Sequence, residues 1–577
     1  MHRPVTYLLL ALGLAGSPRL ASAQATALTP VAAPAAQPAA TTLTARQVEN
    51  VTALGQVWGL LKYYHPAVAA GQRDWDAAFR QQLPRMLACR TRAERSRLLG
   101  EWVASLGPVT ACATCTAPPT QPVSEEADFR WLHNRRQFSP ALRQQLAFIA
   151  ANPYQGKSYY VSRLGATTKF DHEEAYAEPA CPPLELRLLG LCRYWNMFQY
   201  FYPYKGTLGE DWQQVLPTLL PDFAAAATPL GYRHAALRLF THSHDGHSRF
   251  YPPDPLLEAE RGTHQVAAGV QFLDGQAVVT QVRRDSLVPA SPLQPDDVLT
   301  HLAGTSVAEL VRQRLPETIG ANRPAQLNTI ALNLLYCAAP TLEVQVFRFG
   351  RPLRLTVPAV AVGAVPPAQP APADSLYRFL TPEIGYVDMA RISSKKLPAI
   401  MHTFAHTRGI ILDQRNYPGF AAIQLPPYLV DKPTLFSHFT DPDLTRPGRF
   451  VWAAPDTIKP LGSRPYTGRV VMLVNEVSRS MAEFTAMAVQ ATPHATLLGS
   501  QTAGSDGNTS PITLPGGLKT LMSGIGAYYP DGRETQRVGV RLDEVRRPTV
   551  AGLRQGRDEL RDRAVEIIMQ SPPAVPN

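Results

Sequence analysis

No apolar run long enough to cross a membrane follows the first two dozen residues, and no block of Lys or Arg occurs anywhere in the chain. The first absence argues against an integral membrane protein. The second leaves the net charge of +10, from 56 Lys+Arg against 46 Asp+Glu, as a weakly basic surface with no nucleic-acid footprint. The H-E-x-x-H of zinc proteases is missing. Cysteine is scarce: Cys89, Cys112, Cys115, Cys181, Cys192 and Cys337 are the six. Cys112-Ala-Thr-Cys115 has no second C-x-x-C to complete a metal site, so a disulfide is its better reading. No cofactor is implied.

Proline, by contrast, is plentiful at 54 of 577 residues, a length that suggests roughly three or four domains. His2 and Arg3 precede the apolar run Tyr7–Ala15 and the small-residue site Ala21-Ser22-Ala23. This reads as a secretory signal peptide over residues 1–23, giving an exported protein, periplasmic or extracellular. Residues 24–44 are Ala/Thr/Pro-rich and read as a flexible leader.

Two stretches then repeat. Trp58, Pro66 and Trp75 recur as Trp195, Pro203 and Trp212, each 137 positions on (195−58, 203−66, 212−75). The offsets predict two copies of one helical module, at 45–130 and 182–260. Only the second ends in a loop with His242, His244 and His247. Three histidines raise a metal site, but no partner motif supports one; plain surface histidines are a second alternative, and a catalytic imidazole is the stronger reading.

From 262 to 361 short strands alternate with turns, and a helical pattern spans Ala325–Leu335. This segment resembles a PDZ domain, with Gly269-Val270-Gln271-Phe272 at the carboxylate-binding loop and a groove that takes peptide C-termini by strand addition. Residues 362–374 read as a Pro/Ala linker, and 375–577 as an α/β domain of alternating strands and helices. Within it Val470–Val474 is a strand, Asn475–Arg479 a turn, and a helix starts near Met481. Ser480 therefore stands at a helix N-terminus, where backbone N–H groups and the helix dipole favour negative charge. Ser480 with Glu483 also spells a capping box, so a plain cap is the competing explanation.

Four motifs together resemble the C-terminal processing peptidases, the tail-specific proteases with the tricorn core as a relative. They are Gly409–Gly419, Val471–Glu483, Asp245-Gly246-His247-Ser248 and Tyr529–Val540. The resemblance implies a crotonase/Clp-protease-like α/β core with an inserted PDZ domain. It implies an exported serine endopeptidase acting on peptide or protein substrates, captured through a C-terminus. Ser480 matches the nucleophile, and the Gly419 and Met481 N–H groups match the oxyanion hole. The Lys of the family's Ser–Lys dyad falls on Ser505, so the dyad is absent. A serine hydroxyl needs a base, and His247 stands where the tricorn branch uses histidine. For the group that orients it, the late-strand Glu falls on Gln536, leaving Glu534 as the expected substitute and Asp245 as a second choice. Lys519 and the S-x-x-K at Ser393–Lys396 are competing bases. A peptide-binding scaffold without turnover is the alternative function, supported by the missing Lys and by Gln536.

Overall fold

Two long helices, Ala45–Tyr64 and Leu184–Phe201, cross at the centre of the N-terminal half. The first starts at Thr44, whose side chain accepts from Gln47 N–H while Gln47 reaches back to Thr44 N–H. Equivalent positions of the repeat face each other where they cross. A Cβ added at Gly55 would meet Cys192 at 2.6 Å, and one at Gly59 would overlap Asn196. One turn further, Tyr63 packs on Tyr200 with ring centroids 5.6 Å apart. Cys192, Asn196 and Tyr200 are the 137-shifted counterparts of Gly55, Gly59 and Tyr63. Small residues on one helix only therefore allow the close approach.

Each copy is clasped by the same pair of indoles. Trp58 Nε1 donates to the Trp75 carbonyl and Trp75 Nε1 to the Trp58 carbonyl, both at 2.9 Å. Trp195 and Trp212 repeat the exchange at 2.8 and 3.1 Å. Both copies share a single hydrophobic core, which also takes in Ile512, Leu514, Leu518 and Met522 from a late hairpin, Thr509–Leu514 with Leu518–Ser523. The helical half and the last domain are thus packed into one another.

These features come from a computed structural model that describes residues 40–115, 118–284, 286–364, 376–462 and 464–571. The expected signal peptide lies outside the described residues, as do most of the leader and most of the 362–374 linker. Cys112 and Cys115 form a disulfide, as read from their spacing, while Cys89, Cys181, Cys192 and Cys337 are free thiols. None of the described helices is long and apolar enough to cross a membrane.

Residues 262–361 build a sheet in the order Arg351–Pro358, Thr341–Arg348, Val298–Leu302, Gln276–Val282, Ala268–Leu273. The helix Arg323–Leu332 packs beside its last strand. Gly269, Val270, Gln271 and Phe272, which the PDZ resemblance matches to the carboxylate-binding loop, lie within that edge strand, paired to Gln276–Val282, in keeping with the short-strand pattern of this segment. Their alternating side chains suit a ladder better than a turn.

The last domain carries a sheet ordered Tyr377–Thr381, Ile384–Asp388, Gly409–Asp413, Arg469–Val474, Ala495–Gly499, Glu544–Val545, parallel from Ile384–Asp388 onward. Its central strands are apolar on both faces, as a doubly covered parallel sheet requires. The helix Met481–Gln490 belongs to the core on one face, and Leu560, Ala564 and Ile568 of the terminal helix cover the other. The architecture is mixed α/β, with the strand end at Asp413 opening beside Gln271 of the edge strand.

Candidate active site

Ser480 joins the strand Arg469–Val474 to the helix Met481–Gln490 with φ 51° and ψ −116°. An ordinary N-cap sits in the extended region. A non-glycine residue held at positive φ costs on the order of 1–3 kcal/mol and persists only where its surroundings enforce it. Ser480 and Glu483 face each other as a capping box, in which the well-formed bond is the one from Ser480 N–H to the Glu483 carboxylate, 3.1 Å. The hydroxyl faces the Glu483 N–H across that box without forming a regular capping hydrogen bond.

What enforces the turn is the buried Glu483 carboxylate. Besides Ser480 N–H it accepts from Thr502 Oγ1 at 2.6 Å, Gly504 N–H at 2.7 Å and Ser505 N–H at 2.9 Å. Burial raises its carboxyl above the usual range despite these donors. The sequence offered Glu483 only as a cap. Its wider role depends on residues about twenty positions on, which the capping-box signal does not reach.

The 502–505 loop then links Ser480 to the histidine loop. Ser480 N–H donates to the Ser505 carbonyl at 2.8 Å, and Gly246 N–H donates to Ser505 Oγ at 2.9 Å. Ser505, at the vacated Lys position, thus bridges the turn of Ser480 and the residue before His247. Tyr194 and Leu521 anchor the loop further: the Tyr194 hydroxyl donates to Ser248 Oγ, which donates to the Leu521 carbonyl, both at 3.1 Å.

His247 Nδ1 lies 3.2 Å from Asp245 Oδ1 and 3.0 Å from Ser523 Oγ. Asp245 is buried and further accepts from His247 N–H at 2.9 Å, Ser523 N–H at 2.6 Å and Ser523 Oγ at 3.1 Å. Burial alone would push its carboxyl up; the hydrogen bonds and charge of His247 and the Ser523 N–H prevail and hold it below the usual range. With Nδ1 donating to this carboxylate, Nε2 is the free acceptor. No hydrogen bond joins Nε2 to the Ser480 hydroxyl, so the two loops are adjacent without a closed Ser–His bond.

The group on the imidazole is therefore Asp245, and the expectation for Glu534 is corrected. Glu534 is bridged to Tyr528 and hydrogen-bonded to Thr207, where burial raises its carboxyl. Gln536 is buried, with Nε2 on the Tyr202 hydroxyl at 3.0 Å and the His244 carbonyl at 3.1 Å. The remaining histidines are occupied: Glu210 meets His242 Nδ1 at 2.9 Å and His244 Nε2 at 3.1 Å. No cluster of three or more His, Cys, Asp or Glu suited to a metal ion occurs among the described residues.

Gly419 begins the short 3-10 helix Phe420–Gln424, which packs against Met481–Gln490. The N–H groups of Gly419 and Met481 both lack an acceptor among the described residues. Ser478 is buried, donating to the Gln414 carbonyl at 2.7 Å, and is structural. The Lys519 side chain and the Ser394–Lys396 segment are exposed.

A cavity of about 290 Å³ separates the edge strand from the parallel sheet, lined by Gln271, Phe272, Leu327, Arg415 and Glu476 among others. Gln271 thus faces both the helix Arg323–Leu332 and the strand ends of the last domain.

Residues 383–546 match the family model described as Peptidase family S41. No curated protein is significantly similar in sequence. Among solved structures, mature CPAF complexed with lactacystin is 13% identical, with a TM-score of 0.52 over 68% of this chain and 99% of that one. The photosystem II D1 C-terminal processing protease is 19% identical, with a TM-score of 0.36 over 62% of this chain and 92% of that one. The tricorn protease is 14% identical, with a TM-score of 0.34 over 67% of this chain and 37% of that one.

Proposed function

Residues 383–546 are a peptidase family S41 domain and the chain is a serine-type peptidase; from this premise we propose that it is an exported endopeptidase of the C-terminal processing type. Ser480 is its nucleophile and His247 its base. His247 Nε2 takes the Ser480 proton as Ser480 Oγ attacks the scissile carbonyl, and Asp245 holds the imidazole tautomer and stabilises the imidazolium. The developing oxyanion is received by the Gly419 and Met481 N–H groups. His247 then returns the proton to the leaving amine, and water repeats the sequence to release the acyl group. The open Ser–His contact closes when substrate enters, since catalytic hydrogen bonds often tighten only in the substrate complex.

The observation that carries this reading is the Ser505 bridge, which joins the strained Ser480 turn to the His247 loop across 233 positions of sequence (480−247). In the rest of the proposal, residues 262–361 are a PDZ-like domain inserted before a crotonase/Clp-like core. Its Gly269–Phe272 edge takes a substrate C-terminus by strand addition. Residues 1–23 direct export to the periplasm or beyond.

A peptide-binding scaffold is the competing reading, favoured by the unclosed Ser–His bond. A fluorophosphonate probe separates the two: the proposal expects labelling that is lost in Ser480→Ala and strongly slowed in His247→Ala. No labelling of the parent protein would favour the scaffold, and labelling that survives Ser480→Ala would remove Ser480 from its role.

A further inference from the structure

Resting on the serine-peptidase reading, we propose that Arg479 and Arg249 form a carboxylate-binding subsite beside the scissile bond. The enzyme then prefers substrates carrying a carboxylate next to the cleaved peptide, either an Asp/Glu side chain or the C-terminal carboxylate itself.

Position comes first. Arg479 immediately precedes Ser480, and its guanidinium lies 5.9 Å from the ring centroid of Tyr417, two residues before Gly419. Arg249 is two residues beyond His247, to whose carbonyl its N–H donates at 2.8 Å. The two side chains thus belong to the loops that present the nucleophile and the base. Both are half-buried.

Charge comes second. Neither guanidinium has an acidic partner among the described residues, nor a side-chain or backbone acceptor of the kind that satisfies other buried arginines: Arg415 meets Asp413 and Asp558, Arg193 meets Asp76 and Glu173, and Arg187, without an acid, donates to the Phe223, Pro182 and Ala224 carbonyls. Burial, and then the positive charge of Arg249, make Arg479 a poorer home for its proton. An arginine does not shed that proton in a protein, so both guanidiniums stay charged on the two loops that the Ser505 bridge holds together. Glu483 cannot neutralise them, because its oxygens are taken by Ser480, Thr502, Gly504 and Ser505. Two half-buried guanidiniums without a counter-charge are unfavourable until an anion arrives, and their planar forks match a carboxylate. Substrate is the anion that must come here, since the pair borders the reacting serine.

The test uses internally quenched peptide mixtures with Glu or Gln fixed at one position, each made with a free C-terminal carboxylate or a C-terminal amide. Cleavage of the Glu or free-acid arm should exceed its neutral counterpart by about tenfold or more, as a charge-assisted hydrogen bond allows, and the arm that differs identifies the source. Arg479→Gln and Arg249→Gln should each erase most of that preference while fluorophosphonate labelling of Ser480 persists. Equal cleavage of charged and neutral arms, or a preference that survives both substitutions, would overturn the subsite. The same peptides, dye-labelled, are also titrated onto Ser480→Ala by fluorescence anisotropy. There the carboxylate preference should appear in binding and vanish in Ser480→Ala/Arg479→Gln. If the parent protein is not labelled by fluorophosphonate, the peptidase reading fails, and the anisotropy still decides whether the subsite exists.

Discussion

A serine that only capped a helix would have no reason to leave the extended region, yet Ser480 is held at φ 51° by bonds from its own N–H to Glu483 and Ser505. Strain of this kind is sustained by what surrounds it, and here it leaves the hydroxyl free of capping duty. Capping residues and a nucleophile share one turn because the backbone N–H, and not the side chain, satisfies Glu483. At the base, Asp245→Asn should lower kcat by a factor on the order of 10³–10⁴, by losing the tautomer that leaves Nε2 bare. Steady-state hydrolysis measures this, with circular dichroism to confirm folding. Glu534→Gln should leave kcat unchanged in the same assay, since Thr207 and not His247 is its neighbour. Ser480 and His247 were legible because each sits in a local motif. Asp245 was legible only as a second choice: its hold on the imidazole depends on Ser523, 278 positions away, and nothing local announces that approach.

Among the elements, the loop at 502–505 and the helix at Met481–Gln490 are tied by one carboxylate. Glu483→Gln keeps the shape but turns an amide N–H₂ toward donors that need acceptors. It should cost about 1–3 kcal/mol in chemical denaturation and slow fluorophosphonate labelling, since the Ser480 turn and the Ser505 bridge relax together. The crossing of Ala45–Tyr64 with Leu184–Phe201 makes a different demand. Gly59→Val would drive a branched side chain into Asn196 and should destabilise the protein by about 1–3 kcal/mol, read as a shift of the denaturation midpoint. Labelling of the molecules that remain folded should be unaffected. Most strands and helices could be read from apolar periodicity, which is a local signal. The edge position of Ala268–Leu273 could not, because strand order in a sheet is set by pairing partners far along the chain.

For the whole molecule, the duplicated helices were visible in the constant 137-residue offset, but their fusion with the Thr509–Ser523 hairpin was not. That fusion rests on side chains such as Leu514 and Met522 entering a core built some 300 residues earlier. Lys205 lies along the same seam, donating from Nζ to the Tyr202 and Gly448 carbonyls, both at 3.3 Å. Burial brings its ammonium down to about 8, against the partial support of Glu125, Glu126 and Asp128. An unfolded lysine titrates near 10.4, so between about pH 8 and pH 10 the unfolded chain binds the more protons and stability rises with pH. Below about pH 8 both states are protonated, and Lys205 adds no slope. Urea titrations at about pH 7 and pH 9.5 should show this increment, and Lys205→Met should remove it.

The hairpin that completes the N-terminal core also carries Ser523, the residue that donates to Asp245 twice. In order of synthesis, the imidazole loop is finished by residue 250, while its carboxylate stays unsupported and the nucleophile does not yet exist. A nascent or truncated chain therefore displays a histidine with nothing to deprotonate, around a core that still lacks its last apolar wedge. Closure of that core and arrival of reactivity coincide in one late event, which would keep unfinished copies from attacking other chains emerging beside them.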